Sequence, residues 1–117
     1  MAASIWIRCL QLFPYLQEAG IACTVNEPDT DAQIVAFVRF QDQTAYRMAT
    51  QYKAQGKKIL FDLCVNYFGD SVAFERGYGI SPERTEEAAR MVACCDVVTC
   101  ASQTIAERVR QEHSWVE

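Results

Sequence analysis

The sequence predicts an α/β domain, a three-layer sandwich whose largely parallel sheet has about four strands. Three observations carry that expectation. Apolar residues alternate between helical spacing and short continuous runs, in the order helix, strand, strand, helix, strand, helix, strand, helix. Two of the strand-like stretches hold short, nearly continuous apolar runs, IVAFV within 33–40 and Ile59, Leu60, Phe61, Leu63 and Cys64 within 57–64, as strands covered on both faces do. Gly20 and Gly56 close two of the helical stretches, where a helix C-terminus favours glycine.

Each element has its own local reason. Ser4 can cap a first helix carrying Ile5, Ile7, Leu10, Leu12, Phe13 and Leu16, which ends at Gly20. Pro14 inside that pattern predicts either a kink or the start of the helix's second half. IACTV, Ile21–Val25, is β-branched enough for a strand, and a turn-rich NEPDTD follows before the second strand, Gln33–Phe40. The stretch between these two strands is too short for an ordinary parallel crossover. Either a brief connection replaces the crossover helix or the two strands run antiparallel.

Thr44–Gln55 places Ala45, Met48, Ala49 and Tyr52 at helical spacing and stops at Gly56, after which the Lys57–Cys64 strand begins. Gly69–Ser81 has no convincing periodicity and reads as a loop. Ser81 and Pro82 open the next helix as cap and first helical residue, with Ala88, Ala89, Met91, Val92 and Ala93 on its apolar face. A strand over Asp96–Cys100 and a helix from Ser102 to about Gln111 complete the pattern.

Composition narrows the function. A chain of 117 residues is one domain in length, and 50% hydrophobic residues with a net charge of −4 describe a mildly acidic globular protein. No basic stripe is present to neutralise phosphates, so nucleic acid is not an expected partner. No apolar run approaches the ~20 residues of a membrane span, and the N-terminus lacks the charged start of a signal peptide. The expectation is a soluble, cytoplasmic protein.

Six cysteines are present, but none are spaced as CxxC, and the single histidine, His113, lies near the end. They read as small buried hydrophobes in a reducing compartment, with no metal site. No GxSxG elbow, phosphate loop or GxGxxG after a strand occurs, so no cofactor is expected. The chain begins on a helix and ends in HSWVE, where Trp115 and Val116 look like the start of another element. These ends predict that residues 1–117 are a single domain cut from a longer polypeptide.

The remaining candidates are polar residues at strand ends: Arg39, then Asp62 and Asn66, then Thr99 and Ser102, with Arg8 on the first helix. In a parallel sheet these lie along one edge, where ligands bind in open α/β folds. Each has a plainer reading. Ser102 can simply cap the last helix, Asp62 and Asn66 can bond backbone amides at a turn, and Tyr67 and Phe68 can pack in a core or offer a stacking face to a sugar ring. Arg39 is harder to dismiss, because an arginine ending an apolar strand needs an anion or a rim of water.

The series IRCLQLFPYLQEAGI, DAQIVAFVRF, KAQGKKILFDLCVNYF and EEAARMVACCDVVTCASQTIAERV resembles the N-terminal, Rossmann-like domain of GT-B glycosyltransferases of group 1 (family 4). The resemblance covers nearly the whole chain. It implies the acceptor side of an inter-domain cleft for sugar transfer, with a sugar or glycan acceptor here and a nucleotide-sugar donor held by a C-terminal domain that this chain lacks. The family's paired-glutamate donor motif is absent, as are the first strand and its glycine-rich loop.

By that resemblance Asp62 and Asn66 face the cleft, Arg8 and Arg39 hold an anionic group, and Tyr67 and Ser102 complete the substrate-binding set. Asn66 stands where the family often has a second acidic residue, so these roles are binding and shaping, no catalytic residue is assigned, and the isolated chain is expected to be inactive. Membrane association of a full-length protein is left open. A homodimer through Ile21–Val25 or Gln33–Phe40 is expected where the sheet edge is unpaired. The main alternative is a non-enzymatic, flavodoxin-like or receiver-like regulatory module using Asp62; another is subunit pairing as an end in itself.

Overall fold

The computed structural model describes residues 10–24, 31–63 and 82–113, which divide between two units, 1–32 and 33–117. In the first unit, a 3-10 turn at Leu10–Leu12 leads into helix α1, Phe13–Glu18. Pro14 sits in the first turn of α1, where a missing N–H costs nothing, so it marks a helix start and not a kink. Gly20 closes α1 with φ +82. Its N–H donates to Gln17 O at 3.0 Å and the Ile21 N–H to Leu16 O at 2.9 Å, the paired bonds of a Schellman stop.

One expectation fails immediately after that stop. Ile21–Thr24 form no strand, and Ile21 is half exposed; Val25 lies outside the described residues. A short β-branched run has no strand stability of its own without a neighbour to take its backbone bonds and cover its side chains. The sheet has three strands among the described residues, all parallel, so the question of an antiparallel pair does not arise.

The second unit repeats strand and helix: β1 Ile34–Val38, α2 Gln43–Ala54, β2 Lys58–Leu63, α3 Pro82–Cys94, β3 Val97–Cys100 and α4 Gln103–Glu112. The strand order is β1-β2-β3, with Val35 opposite Ile59, Phe37 opposite Phe61 and Phe61 opposite Val98. Because side chains alternate across a strand, this register gathers Val35, Phe37, Ile59, Phe61, Leu63, Val98 and Cys100 on one face. That face packs against Ala45, Ala49 and Tyr52 of α2, Ala88, Met91 and Val92 of α3, and Ile105 and Val109 of α4. Phe61, Ile59, Leu63, Met91, Val92 and Val109 are wholly enclosed, and burial of each such side chain contributes ~1.5–3 kcal/mol.

The other face carries Ile34, Ala36 and Val38 of β1, Lys58, Leu60 and Asp62 of β2, and Val97 and Thr99 of β3. Its exposure changes along the strands: Ile34 and Val97 are more than half exposed, whereas Asp62 is only 6% exposed.

Local chemistry sets the helix ends. Asp42 caps α2, its Oδ1 accepting from the Ala45 N–H at 2.9 Å. Gly56, at φ +85, ends α2 with the same paired bonds as Gly20: Gly56 N–H to Lys53 O at 3.0 Å and Lys57 N–H to Tyr52 O at 3.1 Å. Pro82 opens α3 as expected, while Ser81 and the loop from Gly69 lie outside the described residues.

Two sets of contacts tie the layers. At the N-terminal edge of the sheet, Asp96 Oδ2 accepts from the Ile59 N–H at 2.8 Å while the Asp96 N–H donates to Ile59 O at 2.8 Å. Lys53 Nζ donates to Cys94 O at 2.6 Å and stands 3.9 Å from the Asp96 carboxylate. Between α2 and α3, Arg90 donates to Gln43 Oε1 at 2.8 Å and lies over the Tyr46 ring, 5.6 Å from its centroid. Among the described residues, no helix is long and apolar enough to cross a membrane.

Candidate functional site

Parallel pairing brings the carboxyl ends of β1, β2 and β3 to one edge, and three of the six sequence-predicted substrate-binding residues lie there: Arg39, Asp62 and Ser102. Arg8, Asn66 and Tyr67, like Phe68, lie outside the described residues. Arg39 follows the last residue of β1, Asp62 is the penultimate residue of β2, and Ser102 follows β3 at the entrance to α4. Val38, Asp62 and Thr99 are level across the sheet, with β1 and β3 ~10 Å apart across β2.

Arg39 has the least ordinary backbone of the three. Its φ of 55 places it in the left-handed region, and no other non-glycine residue among those described is found there. An L-residue in that conformation costs ~1–2 kcal/mol, and such outliers persist where the surrounding fold imposes them. This conformation falls between the end of β1 and the Asp42 cap of α2, and the arginine is exposed.

Asp62 is buried within β2, one residue before its end, and its Oδ1 accepts from the Thr99 hydroxyl at 2.6 Å. The carboxyl therefore works inside the sheet, linking neighbouring strands. Ser102 does what the plainer reading predicts: its Oγ accepts from the Ile105 N–H at 3.2 Å and caps α4.

Beside Ser102, β3 and α4 enclose an open cleft of about 350 Å³. Cys100, Ala101, Ser102, Gln103, Ala106 and Arg110 contribute to its walls. Gln103 and Arg110 were not singled out from the sequence, although a usable signal existed: Ser102, Ala106 and Arg110 recur every four residues and so share one side of a helix beginning at that serine. Ser102 and Gln103 stand at this edge with Arg39, while Arg110 lies two turns farther along α4, ~12 Å from Ser102.

The cysteines divide by environment. Cys95 is buried, its thiol donating to Val92 O at 3.4 Å, and burial pushes its pKa up to about 12, with the neighbouring Cys94 adding to the shift. Burial also raises the Cys94 thiol, against the opposing influence of Lys53. Cys23, Cys94 and Cys100 are only half-buried, so the reading as small core hydrophobes fits Cys95 best among the described cysteines. No group of three or more His, Cys, Asp or Glu among the described residues is arranged to hold a metal ion. No family model, curated protein or solved structure matches this chain.

Proposed function

We propose that this chain is the acceptor-side, Rossmann-like half of a GT-B glycosyltransferase, a cytoplasmic protein whose nucleotide-sugar donor is held by a second domain. The observation that carries the reading is the carboxyl edge of the parallel sheet, where Arg39 is held in a left-handed conformation and where the open cleft that runs along β3 and α4 to Val98 and Arg110 begins at Ser102 and Gln103. Ligands of open α/β sheets bind outside this edge. Donors spread along it suit a polyhydroxylated acceptor or its anionic substituent. Asp62, with its carboxyl buried against Thr99, shapes the edge from beneath and does not touch the acceptor.

Transfer in this reading requires the donor-binding domain, so the isolated chain is inactive. The receiver-like alternative needs an accessible carboxylate, and the burial of Asp62 counts against it. In this reading self-association falls to β1, since Ile21–Thr24 are not a strand.

The test is an amide-resolved NMR titration with a panel of neutral and anionic oligosaccharides and, separately, with UDP and GDP. The expected result is millimolar binding of at least one glycan, with shifts concentrated at Arg39, Gln103 and Arg110, and only weak nucleotide binding. Sub-micromolar nucleotide binding, or glycan shifts confined to the opposite edge of the sheet, would overturn the proposal.

A further inference from the structure

We draw no further inference here: the strongest candidate, the apolar patch of Ile34, Ala36, Leu60 and Val97 on the sheet face opposite the helices, carries nothing because nothing in the structure shows what covers it.

Discussion

Replacing Thr99 by valine removes a single hydroxyl while keeping the shape and strand preference of the side chain. In the native fold that hydroxyl donates to Asp62 Oδ1 at 2.6 Å, and Asp62 is 6% exposed, so water has little access to replace the donor. Loss of one such bond within the sheet costs ~1–3 kcal/mol. No cavity term is added, because valine fills the same volume. Strand propensity adds almost nothing, since threonine and valine are both favoured in sheets. The expected loss is therefore ~2 kcal/mol, or ~6–10 °C in Tm for a domain between the sizes usually surveyed. Urea denaturation followed by circular dichroism measures it, with Thr99→Ser as the control that keeps the hydroxyl and should recover most of the loss. Asp62→Ala should cost at least as much as Thr99→Val. A Thr99→Val loss below ~0.5 kcal/mol, with an unchanged denaturant slope, would refute the account of Asp62 as a buried cross-strand acceptor.

Arg39→Gly should leave stability within ~1 kcal/mol, because release of the left-handed strain offsets the greater freedom glycine gives the unfolded chain, yet it should abolish glycan shifts in the titration; a large loss of stability would show that Arg39 serves the fold. Ser102→Ala should cost ~1 kcal/mol by chemical denaturation through loss of the bond to the Ile105 N–H, and a neutral result would remove the capping role. The Cys95 thiol is raised from an ordinary 9.0 to about 12 in the fold, so between those values the unfolded chain releases its proton first. Its contribution is fully present below about pH 9 and is lost as pH climbs toward 12, so wild-type stability should fall more steeply above pH 9 than that of Cys95→Ala; parallel pH curves for the two proteins would contradict this.

What the sequence discloses about this fold is mostly local. Gly20, Gly56, Pro14, Pro82 and Ser102 announce their roles because each acts through backbone geometry within a turn of its own position. The apolar runs of β1 and β2 are equally legible, since burial against helices demands them. The misreadings come from longer range. Ile21–Thr24 have a strand's composition but no partner among the described strands, and composition cannot supply one. The bond between Asp62 and Thr99 was not legible either, because the two lie 37 positions apart and become neighbours only through the β2–β3 register. The left-handed turn at Arg39 has no sequence mark, because arginine is not the residue that such a conformation selects.

The connections at the two ends of the sheet are also unlike each other. At the amino end, α2 passes into β2 through Gln55–Lys57, and α3 into β3 through Cys95 and Asp96, whose side chain and backbone both engage Ile59. An inserted residue in either connection would shift the register of a strand whose alternate positions fill the core, exchanging buried for exposed side chains. The linker from Arg39 to Asp42 at the carboxyl end leads instead into a helix, where Asp42 caps α2. Under mutation and drift the first set of connections should therefore keep its length, while the second is free to change in length and composition. New binding preferences can then arise by rewriting one rim of the domain without retuning its folding.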